Sequence, residues 1–239
     1  MASIYNRRKG EKLWENARLM LADVPLDRDK AKKVLPLGMK LTKEPTATMF
    51  IADYTKTAFT VPYREAAMLV HVETPLGRGI HCPWMLVDDD TALIYGRELL
   101  GYPKKMASFT FEERGASLTS SVTRRGVSVM SMDMTLGEVQ ASPSPVFHVK
   151  TFNASGPGQL FLVNPIWLFK PKEIIRESYA CRVSMTIRPS IFDPVAELIA
   201  GEAFNGRFVV LDILGGSWIL PVGIAGPLWL DRVFTMRFE

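Results

Sequence analysis

A chain of 239 residues with 47% hydrophobic and 23% charged residues has the balance of an ordinary soluble globular protein and enough length for one large core. Its net charge of +4 is spread over small groups such as Arg7-Arg8-Lys9, Lys30-Lys32-Lys33 and Arg124-Arg125; without a basic stripe interleaved with stacking aromatics, a nucleic-acid partner is not expected. Cys82 and Cys181 are its two cysteines, which excludes a disulfide framework, and residues 1–12 lack the apolar run and small-residue site of a signal peptide.

Residues 11–21 place Leu13, Trp14, Ala17 and Leu21 at helical spacing and predict an opening helix. A second short helix is predicted over 28–34, stopped ahead of Pro36 because proline restricts its predecessor. Strand formers then take over at 46–54 and 66–73, the latter closed by Thr74-Pro75-Leu76-Gly77. A strand at 84–87, an acidic turn Asp88-Asp89-Asp90, and a strand or short helix at 92–95 follow. Residues 108–112, 116–123 and 127–136 form a predicted meander, with Gly115 and Arg125-Gly126 at its turns. Further strands are expected at 147–152, 160–163, 180–188, 207–214 and 232–238, with one helix at 194–200.

Residues 213–230 carry no charge and are long enough to span a membrane. Gly215, Gly216, Pro221, Gly223, Gly226 and Pro227 interrupt them, which fits buried strands and turns better than a lipid-facing helix. The pattern predicts a mainly β (α+β) protein, a closed barrel or sandwich with few peripheral helices, formed as a single domain over 1–239. A cytoplasmic location without a membrane partner is expected. A barrel would also enclose an apolar interior.

Familiar motifs are missing. Gly96 and Gly101 have the separation of a phosphate loop, but Tyr102 follows where that loop needs lysine. No G-x-G-x-x-G is present, and Ser155 and Ser217 lack the glycines of a nucleophile elbow. His71, His81, Cys82 and His148 match no common metal-ligand spacing, so no metal is expected. The informative stretch is Gly96-Arg97-Glu98-Leu99-Leu100-Gly101-Tyr102-Pro103-Lys104-Lys105. Tyr102-Pro103 forces an extended approach to two adjacent lysines. In extended backbone their side chains point to opposite faces, so one can enter a barrel while the other lies elsewhere.

This segment resembles the active-site signature of the acetoacetate decarboxylase family, in which G-R-E-L precedes Y-P-K-K-L. Residues 29–36 (DKAKKVLP), Pro62-Tyr63-Arg64-Glu65, and Phe147-His148-Val149-Lys150 followed by Asn153 are similar to further family elements in the same order. The resemblance implies the closed antiparallel barrel-like fold of that family. It also implies a lyase without cofactor, in which Lys104 forms a Schiff base with a small keto acid. Catalytic roles follow for Lys104, Lys105 and Glu65, and substrate contacts for Arg18, Phe50, Tyr63, Arg97 and Tyr102, with a structural salt bridge as Arg97's alternative. Free lysine, with a pKa of ~10.4, is almost wholly protonated at neutral pH. Enzymes overcome this by desolvation or a cationic neighbour, acetoacetate decarboxylase being the well-known instance. Desolvation is the expected cause here, since Lys105 should point away.

Two positions depart from the family pattern: Phe50 replaces a second pocket glutamate, and the substrate-side arginine is met only by Arg18, across a gap. Decarboxylation of a β-keto acid, acetoacetate or a bulkier relative, is the leading expectation. Aldol, retro-aldol or dehydratase chemistry on a pyruvoyl substrate is the alternative, and a non-catalytic ligand-binding barrel the second. A homo-oligomer larger than a dimer is expected, both from the resemblance and from the apolar C-terminal third.

Overall fold

The computed structural model describes residues 10–147, 150–154, 164–226 and 228–239. The chain opens with a strand, β1 (Lys12–Pro25), where the spacing of Leu13, Trp14, Ala17 and Leu21 predicted a helix. Leu19 and Leu21 belong to one core and Met20, Ala22 and Val24 to another. A strand buried on both faces reads as a continuous apolar run, and such a run satisfies the helical spacing by chance.

Helix α1 (Arg28–Val34) follows as predicted, with Asp27 capping the amides of Asp29 and Lys30. Next come β2 (Lys40–Leu41), β3 (Thr46–Tyr54), β4 (Lys56–Thr57), β5 (Tyr63–Thr74) and β6 (Gly77–Val87). Helix α2 (Asp90–Leu100) occupies the region read as a strand or short helix, and the lysine pair opens β7 (Lys104–Met106). The meander is present as β8 (Ser108–Arg114), β9 (Ser117–Arg124) and β10 (Val127–Val139). After β11 (Lys150–Ala154), the long β12 (Pro165–Ile187) and β13 (Phe204–Ile224) flank a 3₁₀ turn at Pro194–Leu198. The strand expected at 232–238 is instead two short helices, α3 (Trp229–Arg232) and α4 (Phe234–Phe238). The predicted strand at 160–163 lies outside the described residues.

Seven strands close a ring in the order β11-β6-β5-β3-β1-β13-β12, because β11 pairs with β12 as well as with β6. The second half of β12 leaves the ring to pair with β10, and β9 and β8 extend the sheet beyond it. The expected barrel is therefore there, joined to an open sheet. It is not antiparallel throughout, since β11–β6 and β6–β7 run parallel.

Alternation along the ring strands separates two cores. Leu19, Leu21, Phe50, Ala67, Leu69 and Cys82 form the enclosed one. Met20, Met49, Met68, Trp84, Leu118 and Met132 form the other, beneath α1 and the sheet extension. Each large apolar side chain so buried contributes roughly 1.5–3 kcal/mol. No described helix is long and apolar enough to cross a membrane.

Candidate active site

The local sequence fixes how the lysine pair enters the fold. Asp89 caps α2 through the amide of Ala92 at 2.7 Å. Gly101 ends the helix at φ 71°, a left-handed conformation that glycine adopts without a Cβ penalty. Tyr102-Pro103 then carries the chain directly into β7, which lies parallel to β6 with Lys104 beside Met85 and Lys105 beside Leu86. Met85 belongs to the enclosed core and Leu86 to the other, so the two lysines point to opposite faces.

Lys104 is buried, and its Nζ lies 2.5 Å from Glu65 Oε2 on β5 and 5.5 Å from the centre of the Tyr63 ring. Free space of about 50 Å³ adjoins the pair, bordered by Trp14, Tyr54, Tyr63, Tyr102, Phe147 and Ile213 among others. One water needs only ~10–15 Å³ by this measure. The Tyr63 hydroxyl accepts a hydrogen bond from Trp14 Nε1 at 2.9 Å, and the Tyr54 and Tyr63 rings stack at 4.8 Å. Burial, and then the charge of Glu65, holds both hydroxyls well above the ordinary tyrosine range, so both stay protonated. Burial likewise raises Tyr102, with Cys82 and Glu65 adding to the effect.

Gly96 makes room for the lysine. A Cβ at this position would stand 2.4 Å from Lys104 Cε and 2.6 Å from Cδ. Glycine there lets α2 pack against the Lys104 side chain as it lies, and a Cβ would push the end of that side chain aside.

Lys105 has different surroundings. Its Nζ donates to the carbonyls of Phe192 at 2.9 Å and Thr235 at 3.1 Å, and pairs with Asp193 Oδ1 at 2.8 Å. All three ammonium donors are satisfied. Burial outweighs the Asp193 pair and lowers this ammonium to about 8, which leaves it charged at neutral pH.

The remaining predicted residues divide. Tyr63, Glu65 and Tyr102 meet Lys104 at the cavity. Phe50 stands one layer behind, fully buried, with its ring edge-to-face on Phe147 at 5.7 Å. Arg97 points away from the cavity, and its Nη1 donates to the carbonyls of Lys104 at 2.9 Å and Arg237 at 3.0 Å. It holds backbone and does not border this cavity. Arg18 is not brought to the cavity at all, because it pairs with Glu113 of β8. Asn16, at φ 53°, accompanies a register shift between Trp14 and Ala17. Ala17 and Leu19 then face the enclosed core, and Arg18 projects to the opposite side.

Trp14, Tyr54, Phe169 and Ile213 border the cavity but were missed by the sequence reading. Only Tyr54 left a signal, since it follows Phe50 and Ala52 on one strand face. His71 bonds to Thr46 and Thr48 through its two nitrogens at 2.8 and 3.1 Å, and His81 bonds to the Phe152 carbonyl at 2.8 Å. His148 lies outside the described residues. A larger cavity of about 680 Å³, bordered by Asp23, Thr48, His71 and Arg207, lies toward the other end of these strands, and Leu69 borders both.

Residues 2–225 match the family model described as acetoacetate decarboxylase (ADC). The chain belongs to the acetoacetate decarboxylase family. It is 24% identical over 201 residues to the acetoacetate decarboxylase of Burkholderia multivorans, covering 80% of each chain. Its fold is similar to the crystal structure of acetoacetate decarboxylase from Legionella pneumophila, with TM-score 0.77 and 16% identity over 90% of this chain and 88% of that one. The enduracididine biosynthesis enzyme MppR complexed with pyruvate shares the fold at TM-score 0.70 and 14% identity, over 85% and 88% of the two chains.

Proposed function

We propose that the chain, acting as one domain over 1–239, decarboxylates a β-keto acid through an imine at Lys104. The observation that carries this reading is the Lys104–Glu65 pair at 2.5 Å, buried beside free space of about 50 Å³. The lysine amine adds to the ketone carbonyl, and loss of water leaves a protonated imine. The bond to the carboxylate then breaks, carbon dioxide leaves, and its electron pair moves into the imine to give an enamine. A proton delivered to the enamine carbon, followed by hydrolysis, releases the ketone and regenerates the amine. An apolar cavity favours a step in which a carboxylate becomes neutral carbon dioxide. Glu65 orients the amine and handles the proton.

A second reading keeps the imine and changes the substrate. Phe50, at the position where the resemblance implies a family glutamate, packs on Phe147, and Arg18 pairs with Glu113 off the cavity. A relative of the same fold binds pyruvate. These points favour a pyruvoyl acid undergoing aldol or dehydration chemistry. Borohydride trapping with a panel of β-keto and pyruvoyl acids, read by peptide mass spectrometry alongside carbon dioxide release, separates the two. An adduct at Lys104 with carbon dioxide release supports decarboxylation. Trapping of pyruvate without carbon dioxide from any β-keto acid moves the chain to the second reading, and absence of any Lys104 adduct overturns both. We also propose an assembly larger than a dimer, supported by exposed Leu220, Ile224 and Leu228; a monomer in light scattering would refute it.

A further inference from the structure

Strand β7 has three residues and, among the described residues, pairs with β6 alone, so the sheet ladder does little to fix Lys104. Much of the remaining support comes from residues 228–239, beyond the span 2–225 that family membership covers. Arg97 bridges the Lys104 carbonyl to the Arg237 carbonyl, and its guanidinium lies over the Phe238 ring at 5.1 Å. Arg237 Nη2 reaches back to the Gly101 carbonyl at 3.3 Å, and its guanidinium lies over Trp229 at 5.3 Å. The Thr235 carbonyl accepts from Lys105, and Arg124 ties the Glu239 carbonyl to Asp193. Gly101 ahead of the Lys104 strand and Lys105 within it are thus gripped by one short segment.

The chemistry of the grip is costly. Arg237 is 2% exposed, and its Nε and Nη1 have no hydrogen-bond partner among the described residues. A buried cation without a carboxylate destabilises a fold, and an apolar residue of similar volume would serve packing better. What the guanidinium supplies beyond packing is a directed hydrogen bond to the backbone that leads into Lys104.

We propose that residues 228–239 are a clamp that positions the Lys104 strand, with Arg237 as its positioning residue and Arg97 and Lys105 as the side chains it holds. Its catalytic meaning rests on the imine reading above. The test uses full-length Arg237→Met and Arg237→Lys, with hydrogen–deuterium exchange along 97–107 and steady-state kinetics on whichever acid traps at Lys104. In Arg237→Met, amides 101–106 exchange about tenfold faster while β3 keeps its protection. There kcat falls about tenfold to a hundredfold, as expected for a slightly misplaced nucleophile, and KM stays within about threefold. Arg237→Lys, which keeps a cationic donor, recovers most of kcat. If Arg237→Met does not fold, Phe238→Ala, which frees Arg97 by removing a partly exposed ring, should shift both readouts in the same direction by less. Unchanged exchange, or faster exchange with unchanged kcat, overturns the clamp. If wild-type protein traps no acid at Lys104, the imine reading fails, and exchange alone decides the clamp.

Discussion

Lys104 and Lys105 are neighbours in sequence and equally buried, at 6% and 5% exposed, yet they occupy opposite regions of the molecule. Around Lys105 every donor is used, and Asp193 also serves Arg124 at 3.0 Å and Trp84 Nε1 at 2.9 Å. Around Lys104 there is one carboxylate, a wall of aromatic rings, and free space. Burial alone therefore does not prepare an amine for chemistry. Lys105, with every donor used, is a structural tie, whereas Lys104 has a single charged partner and an adjoining cavity, the space that the proposed imine needs.

The sharpest way to break this contrast is to remove each lysine in turn. Lys104→Ala should abolish the borohydride adduct and lower turnover by about 10⁴-fold or more, and it too should destabilise the fold, because it leaves buried Glu65 without its cation. Lys105→Met should keep the Lys104 adduct but destabilise the fold by about 3 kcal/mol, since it strips a partner from a buried carboxylate. A retained adduct in the first variant, or a lost one in a folded second variant, would dissolve the distinction.

A third buried base isolates burial from chemistry. His81 is wholly buried, and its ring donates from Nδ1 to the Phe152 carbonyl, the tautomer that bond requires. Burial lowers it to about 4 from 6.5. Between those values the unfolded chain takes up a proton that the folded chain refuses, so stability is full above about pH 6.5 and is lost as pH falls toward 4. The loss attributable to this group is about 3 kcal/mol. Urea titrations across that window should show His81→Asn with a flatter profile than wild type.

The space beside Lys104 is tested by Gly96→Ala, whose new Cβ would collide with the lysine stem. Turnover should drop about 10²-fold, although alanine favours the helix by ~1 kcal/mol over glycine. A fully active variant would show that α2 can give way. Smallest in effect should be Glu65→Gln, which keeps the shape and removes the acid–base function. Imine formation should persist while turnover slows about tenfold to a hundredfold, as single-turnover trapping against steady-state rates would reveal.

Much of this site was legible because its chemistry is local. Tyr102, Lys104 and Lys105 lie in one segment whose glycine and proline dictate its path, and Tyr63 and Glu65 share one strand face. β3 and the meander were legible from strand formers and turn residues. What escaped was set by distant partners. Trp14 and Ile213 face one cavity only because β1 pairs with β13, and Arg18 lies off this cavity because a bulge at Asn16 decides which way it points. The part of β12 ahead of residue 180 carries Lys170, Lys172, Glu173 and Glu177 among apolar residues, which hid a strand behind its charges. Residues 232–238 alternate like a strand, but Val233 and Met236 pack three apart on a helical turn.

The pairing of β1 with β13 also bears on how the protein is born. A ribosome finishes the strand carrying Trp14 long before it makes the one carrying Ile213, and at roughly 5–20 residues per second the delay is tens of seconds. Until then β1 has β3 and β4 beside it but an open edge where β13 will dock, and the wall completed by Ile213 does not exist. Nascent chains stalled before β13 should consequently be digested by protease within β1 and form no Lys104 adduct, and release of the full chain should confer both resistance and reactivity in one step.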